Sequence, residues 1–195
     1  MNTAAFWSYI LLTAITPGPN NLMAMTHSTR FGLRKSLAFC SGVLCGFVVN
    51  MSLCALFTAA LHQYIPEIMP FTKWIGAGYI LYLALSIFRH KPHVSTAKKK
   101  LKISSLFTTA VLLQFVNMKG ILYGLTAFHS YILPQSQAVG MLTLGVLILS
   151  FTAFASTCCW AVFGSLFQRF FEKYKMPMNI IMALLLMYCA VMAVL

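Results

Sequence analysis

Two prolines interrupt the first long apolar stretch of the chain, within the segment Thr16-Pro17-Gly18-Pro19-Asn20-Asn21. No charged side chain occurs from Met1 to Thr26, so this stretch is predicted to span a membrane. Proline lacks the N–H that a helix needs, and it pushes the preceding residue away from helical dihedrals. Each proline costs about 3 kcal/mol unless the freed carbonyls, predicted to be those of Thr13 and Ile15, find partners. A broken helix at membrane depth is therefore expected to be buried in protein or to line a polar cavity.

The composition places nearly the whole chain in the membrane. Of the 195 residues, 60% are hydrophobic and 8% are charged, which excludes an ordinary soluble domain and a disordered chain. Six segments are apolar and long enough to cross a bilayer: Ala4–Met25, Leu37–Leu61, Phe71–Phe88, Leu106–Phe128, Val139–Phe167 and Met178–Leu195. We therefore predict one all-α transmembrane domain over residues 1–195, with six transmembrane helices of which helices 1 and 4 are interrupted near the midplane.

The basic residues follow the loops of this topology. Twelve of the 14 Lys and Arg residues fall between spans 1 and 2, spans 3 and 4, or spans 5 and 6. Cytoplasmic loops are enriched in Lys and Arg, so the distribution predicts that both termini lie on the outer side of the membrane. Membrane lipids with anionic headgroups are the expected partners of these loops, and no nucleic-acid partner is expected.

The two halves of the chain are predicted to form an inverted repeat. A basic linker at 91–102 separates halves of three spans each, about 1–90 and 103–195. Because three is odd, the second half inserts upside down relative to the first. Span 4 carries Gln114, Asn117, Lys119 and Gly120 where inversion of the proline break would place polar groups. Polar interruptions at corresponding places in two halves indicate a transporter binding site.

Lys119 is the one full charge inside a predicted span, and insertion scales put its cost at about 2.5–3.5 kcal/mol. Two interpretations stay open. The ammonium can pair with an anionic substrate group, or it can be structural and bond to carbonyls that Pro17 and Pro19 free. The acidic residues of the chain, Glu67 and Glu172, both lie outside the spans and are not available to pair with it.

Other polar groups are predicted at the same depth as Lys119. Asn20 and Asn21 open the helix after Pro19, whose N–H groups and positive dipole end favour an anion. Tyr123 follows Lys119 by one turn. Alternatively, the side-chain amides serve only as hydrogen-bond partners for the backbone groups that the breaks leave unbonded, and Tyr123 only packs against neighbouring side chains. The predicted substrate-binding residues are Thr16, Pro17, Gly18, Pro19, Asn20, Asn21, Gln114, Asn117, Lys119 and Tyr123. No phosphate-binding loop and no metal-ligand motif occurs, so neither a cofactor nor a metal is expected.

Several of these motifs resemble the LysE/RhtB amino-acid exporter family. The proline segment, Gly32-Leu33-Arg34 and Gly42-x-x-x-Gly46 are similar to the family's opening pattern, and Gln114–Lys119 resembles its second signature, usually written Asn-Pro-Lys. The likeness covers the whole chain. It implies six helices in the bacterial inner membrane, with both termini then on the periplasmic side, and efflux of amino acids or their metabolites driven by the proton motive force. The glycine pair is itself predicted to let two helices approach closely.

Two positions depart from that family pattern. Many members carry an acidic residue where this chain has Phe47, and Met118 replaces the proline between Asn and Lys. The first departure argues against a carboxylate proton relay and against cationic substrates, because no embedded anion would hold a second ammonium. Segments 113–117, 133–135 and 187–191 resemble the cysteine and O-acetylserine exporters of the family. The expected function is thus secondary-active export of small neutral amino acids, with cysteine and O-acetylserine first.

Other functions stay open at this stage. Within the family, the substrate can instead be of the homoserine and threonine type or of the branched-chain type. The six cysteines all lie within predicted spans, and they are expected to be small buried thiols rather than a disulfide framework. They also raise a membrane thiol-redox protein as an alternative, although the adjacent Cys158 and Cys159 form no C-x-x-C motif. A purely structural partner of a larger complex is a third class. No enzymatic activity is expected, and a homo-oligomer and the roles of His27 and His129 are left open.

Overall fold

Helices account for nearly all of the computed structural model, which describes residues 3–60, residue 78 and residues 103–166. The first segment holds α1 (Thr3–Ile15), α2 (Pro19–Phe31) and α3 (Leu33–Ala60). The second holds α4 (Ile103–Val116), α5 (Met118–Ala127), a π-helical segment (Phe128–Ile132) and α6 (Val139–Leu166). These ranges contain no strand, so the all-α prediction is confirmed. The predicted spans Phe71–Phe88 and Met178–Leu195 and the linker 91–102 lie outside the described residues, apart from Gly78.

Both predicted interruptions are present, and they arise differently. α1 ends at Ile15 and α2 begins at Pro19, with Gly18 in extended backbone at the N-cap. Pro19 fits the first helical position, where an N–H has no acceptor within the helix. The second break needs no proline, because Asn117 caps α5 by accepting a hydrogen bond from the N–H of Gly120 at 3.4 Å. Helical axes before and after this second break differ in direction by 59°.

Two helices are long enough to cross a membrane by themselves. α3 and α6 each contain 28 residues with a mean hydropathy of 2.0 over their most apolar part. At about 1.5 Å per residue, each is roughly 42 Å long. The bent pair α4–α5 makes a third candidate span, while α1 is a shorter apolar helix. The described residues therefore contain two or three candidate spans, and the arrangement of six spans stays a prediction.

Glycines set the closest helix contacts. A Cβ atom built at Gly46 of α3 would lie 2.6 Å from the Cγ of Gln114 and 3.0 Å from the carbonyl of Val111, both on α4. Gly164 of α6 lies equally close to Met25 of α2. Backbones can approach this closely only where no side chain intervenes. The close approach predicted for the glycine pair of α3 is therefore confirmed.

The order of a helix, a break, a second helix and a 28-residue helix occurs in both described segments. α3 packs against α2, α4 and α6, and it carries Phe39, Met51 and Val43 among the fully buried side chains. Leucines such as Leu12, Leu56 and Leu112 are more than half exposed on the outer surface of the bundle. An apolar exterior around a core that contains buried amides is the arrangement expected of a protein surrounded by lipid.

Candidate binding site at the two helix breaks

The carbonyls that the prolines free both find side-chain donors. The Thr16 hydroxyl donates to the carbonyl of Thr13 at 2.8 Å, one turn back in the same helix. The indole Nε1 of Trp160, on α6, donates to the carbonyl of Ile15 at 3.0 Å. These are the two carbonyls predicted from the sequence to need partners. The break is therefore stabilised locally and by the neighbouring helix.

The Asn21 side chain bonds to two carbonyls of the broken backbone and to two hydroxyls of α6. Its side-chain nitrogen donates to the carbonyls of Ala14 at 2.9 Å and Thr16 at 3.0 Å, and lies 3.4 Å from the Ser156 hydroxyl. Its oxygen accepts from the Thr157 hydroxyl at 3.2 Å. Ser156 also donates to the Ala14 carbonyl at 2.7 Å. Asn21, only 4% exposed, thus joins the end of α1 to α6.

The ammonium of Lys119 lies at the carbonyl end of α1. Its Nζ donates to the carbonyl oxygen of Thr16 at 2.7 Å, to the Thr16 hydroxyl at 2.8 Å and to the carbonyl of Pro17 at 3.4 Å. A cation at a helix C-terminus is favoured by the negative end of the helix dipole. Lys119 therefore does bond to carbonyls at the break, but they are those of Thr16 and Pro17 and not the predicted Thr13 and Ile15.

A buried amide pair connects the two breaks. Asn20 of α2 and Gln114 of α4 exchange hydrogen bonds, at 2.8 Å from the Asn20 nitrogen and 3.1 Å from the Gln114 nitrogen. The Gln114 side chain also donates to the carbonyl of Ala110. Near the end of α4, the backbone carbonyl of Gln114 accepts from Asn50 of α3 at 2.9 Å. Each break is therefore capped by the long helix of the other segment.

One cavity lies between the two breaks. Its volume is about 40 Å³, and a buried water needs roughly 10–15 Å³ measured in this way. It therefore holds a few waters and must widen to admit an amino acid. Its walls are Thr13, Ala14, Gly18, Pro19, Asn20, Asn21, Phe47, Asn117, Lys119, Gly120, Tyr123, Ala153 and Thr157.

The walls of this cavity favour a negative group. The first turns of α2 and α5 both line it, and their N–H groups have no acceptors within their own helices apart from the cap at Asn117. Lys119 adds a full positive charge, and the described residues include no Asp or Glu. Tyr123 is 3% exposed, and its hydroxyl has no hydrogen-bond partner among the described residues. A buried unbonded hydroxyl in a polar cavity is a group that a ligand or water would satisfy.

Stacked tyrosines lie between the cavity and the N-terminal end of α1. The Tyr9 ring stacks on Tyr123 at a centroid distance of 6.0 Å and on Tyr131 at 5.5 Å. Phe6, one turn closer to the N-terminus of α1, contacts Tyr131 at a ring-centroid distance of 5.8 Å. The Tyr9 hydroxyl donates to the carbonyl of Tyr123 at 3.4 Å. These four side chains form an aromatic cluster that adjoins the cavity at Tyr123.

Comparison with known proteins identifies the family. The sequence profile described as "LysE type translocator" matches residues 11–195. The chain belongs to the LysE type translocator family. A cysteine/O-acetylserine efflux protein of Salmonella choleraesuis is 42% identical over 191 residues, which covers 98% of this chain and 96% of that protein. One of the same name from Escherichia coli is 41% identical over 188 residues, covering 96% of this chain and 95% of that protein. No solved structure matches the chain.

Membership of the LysE family makes this chain a membrane transport protein rather than an enzyme, with amino-acid export as its general activity. The apolar helices of the structure agree with that membership. The family resemblance noted in the sequence is thus confirmed over nearly the full length of the chain.

The structure brings most of the predicted site residues together. Gly18, Pro19, Asn20, Asn21, Asn117, Lys119 and Tyr123 line the cavity, whereas Thr16, Pro17 and Gln114 do not. Thr16 and Pro17 lie behind Lys119 as its acceptors, and Gln114 lies behind Asn20. Sequence reasoning did not assign Thr13, Ala14, Phe47, Gly120, Ala153 and Thr157 to the site. The polar pair Ser156-Thr157 in an apolar helix was a signal for α6. The assignment of the ten residues to substrate binding stays a prediction.

The described histidines and cysteines lie outside the cavity walls. His27, beyond the Met25 end of predicted span 1, packs against Phe31 and Phe39, and burial lowers the pKa of its imidazole. We therefore expect it to be neutral at pH 7.

The cysteines were predicted to be small buried thiols, and this is wrong for Cys45 and Cys159, which are exposed on the bundle surface. Cys40 and Cys54 are buried, Cys158 is partly buried, and none of these five forms a disulfide. Cys189 lies outside the described residues. Helical periodicity explains the error, because a residue inside a span can face either lipid or the core.

Replacing Gly18 by alanine is expected to move Lys119 off the end of α1. The new Cβ would lie 2.8 Å from the Lys119 Cδ and 3.1 Å from its Nζ. Hydrogen bonds from a charged donor are worth about 1.5–3 kcal/mol each, so we expect a melting temperature lowered by roughly 5 °C or more in detergent. Gly140→Ala is the matched control, since nothing lies within 4 Å of a Cβ there. Equal melting temperatures for the two variants would contradict the packing of Lys119 over Gly18.

Proposed function

We propose that this LysE family member is a secondary-active exporter of small neutral amino acids, with cysteine and O-acetylserine as its main substrates. The supporting observation is the Lys119 ammonium, which lies beside a cavity lined by both helix breaks. The relatives named cysteine/O-acetylserine efflux protein support the choice of substrate. We further propose coupling to the proton motive force, which follows from the family resemblance.

The cavity suits the carboxylate of an amino acid. Lys119, the first turns of α2 and α5, and the Tyr123 hydroxyl all offer donors to it. A carboxylate that accepts hydrogen bonds from a charged group and from backbone N–H groups is strongly held where water is excluded. We propose that the ammonium of the amino acid lies toward the carbonyl end of α1, where the carbonyls of Thr16 and Pro17 are.

The remaining walls favour small neutral side chains. Phe47 and Tyr123 are both buried at the cavity, with ring centroids 6.4 Å apart, and Ala153 forms part of another wall. A second ammonium, as in lysine or arginine, would be placed near Lys119 with no carboxylate among the described residues to neutralise it. Unpaired buried charges are costly, so cationic amino acids are expected to be excluded.

We propose that the substrate passes between the halves of a six-span inverted repeat with both termini in the periplasm. The recurring order of helix, break, helix and long helix supports the repeat. In that orientation the stacked side chains of Phe6, Tyr9, Tyr123 and Tyr131 close the periplasmic side. Rocking of the halves would open that side and close the cytoplasmic one.

The test is flux through the purified protein in liposomes without any partner. Labelled cysteine and O-acetylserine are expected to cross faster than homoserine, threonine or leucine, and lysine is expected not to cross above the level of empty liposomes. An imposed pH gradient is expected to raise the rate of uphill movement. Absence of flux for every amino acid would contradict the proposed function, and equal rates with and without the gradient would contradict proton coupling alone.

A further inference from the structure

The end of α1 provides a binding position for an ammonium group. Thr16 and Pro17 together present two carbonyl oxygens and one hydroxyl within 3.4 Å of the Lys119 Nζ. In a site shielded from water, an alkylammonium group binds favourably to oxygen acceptors at the negative end of a helix dipole. We call this position, formed by the carbonyls of Thr16 and Pro17 and the Thr16 hydroxyl, the ammonium seat.

The other carbonyls near the end of α1 are bonded by groups that do not resemble an ammonium. Those of Thr13 and Ile15 accept from a hydroxyl and an indole, and that of Ala14 accepts from an amide and a hydroxyl. These donors belong to short or ring side chains held by packing. Lys119, in contrast, reaches the seat with a long flexible side chain from the first turn of α5. The seat is thus the part of the break that a second cation can take over.

The cavity wall formed by α5 is rich in donors. Lys119 belongs to the helix whose first turn faces the cavity, and the unbonded hydroxyl of Tyr123 lies one turn further along that helix. A carboxylate held there would give the Lys119 ammonium an anionic partner in place of neutral carbonyls.

Resting on the proposed function, we propose that Lys119 holds the position of the substrate's α-ammonium while the cavity is empty. When an amino acid enters, its carboxylate draws Lys119 away from Thr16 and Pro17, and its own ammonium takes the vacated ammonium seat. The carbonyls of the break are bonded before and after, and neither charge is left buried without a partner. The site therefore selects molecules that carry both groups on one carbon.

The two halves of the zwitterion can be tested with separate analogues. Cysteamine has the amine and thiol of cysteine without its carboxylate, and 3-mercaptopropionate has the carboxylate without the amine. In the wild type both are expected to bind at least about tenfold more weakly than cysteine, because each leaves one buried charge unpaired. Equally tight binding of either analogue and cysteine would overturn the exchange.

The decisive variant is Lys119→Met, which empties the ammonium seat. Labelled cysteamine is expected to bind this variant about tenfold more tightly than the wild type in a scintillation proximity assay. Binding of 3-mercaptopropionate is expected to weaken, because Lys119 is also the partner of the carboxylate. Lys35→Met makes the same chemical change away from the cavity walls and is expected to bind both analogues as the wild type does.

The possible failures are distinguishable. A wild type that exports cysteine while Lys119→Met binds cysteamine no more tightly would overturn the exchange and leave the proposed function intact. A wild type with no amino-acid flux would contradict the proposed function itself. If Lys119→Met does not fold, Lys119→Gln keeps a neutral donor at the seat and is expected to tighten cysteamine binding about threefold, because an amide bonds the seat less strongly than an ammonium does. Unchanged binding in that folded variant would equally overturn the exchange.

Discussion

Replacing Lys119 by methionine is expected to lower the initial rate of cysteine export by about a hundredfold or more. Truncating one partner of a buried, hydrogen-bonded charge pair costs about 2–5 kcal/mol, and each 1.4 kcal/mol is a factor of about ten. Methionine keeps the length of most of the side chain, so the loss is chiefly that of the ammonium. The measurement is the initial flux of labelled cysteine in liposomes, normalised to the amount of folded protein.

Lys35→Met is the matched control for this experiment. Lys35 lies in the first turn of α3, and the cavity walls do not include it. It is expected to export cysteine within about twofold of the wild-type rate, since surface charges contribute little. If Lys119→Met inserted normally and exported cysteine at the wild-type rate, Lys119 would have no role in holding the carboxylate.

The positions of both breaks could be predicted from the sequence, because their causes are local. Proline removes a donor wherever it occurs in a helix, so the end of α1 and the start of α2 followed from Pro17 and Pro19. The second break was indicated by clustered polar residues, and Asn117 acts through its own side chain on a residue three positions away. The spacing of Gly42 and Gly46, two small residues four positions apart, similarly predicted a close contact between helices.

The α6 donors that bond the broken backbone could not be predicted, because they come from residues more than a hundred positions away. Trp160 and Ser156 bond the end of α1 across 145 and 142 positions of sequence. One sequence without an alignment holds no record of such contacts. Asn50 was missed for the same reason, since it caps α4 from α3. Periodicity locates the buried face of a helix only when that face differs in polarity, and these helices are apolar on nearly all sides.

Lys119 illustrates the limit of an argument from charge alone. The sequence established that the ammonium needs a partner, and it left a substrate and the backbone as alternatives. The structure places the ammonium on Thr16 and Pro17, which meets the structural requirement in the empty cavity. Charge cannot separate the two interpretations, because an ammonium bonded to neutral carbonyls still attracts a carboxylate. The two roles are therefore compatible, and the exchange proposed above assigns one to each state of the site.

Asn21→Leu is expected to lower the stability of the fold more than any other single amide replacement at the breaks. Asn21 makes four contacts with broken backbone and with α6, from 2.9 to 3.4 Å. Hydrogen bonds inside membrane proteins are worth about 0.6 kcal/mol on average and at most about 1.7, so the loss of four is expected to be about 2–7 kcal/mol. For a chain of this size, that corresponds to a melting temperature lower by roughly 5–27 °C in detergent.

The control for Asn21→Leu is Gln135→Leu, which removes an exposed amide that bonds only to the carbonyl of Tyr131, one turn back. This variant is expected to melt within about 2 °C of the wild type, because surface substitutions change stability by about 0.5 kcal/mol or less. Thr157→Val separates the two functions of Asn21, since it removes one hydroxyl donor and leaves the α1 carbonyls bonded. It is expected to cost about a quarter of the Asn21→Leu effect. If Asn21→Leu had the same melting temperature as the wild type, the hydrogen bonds from Ser156 and Lys119 would be sufficient to stabilise the carbonyls of Ala14 and Thr16.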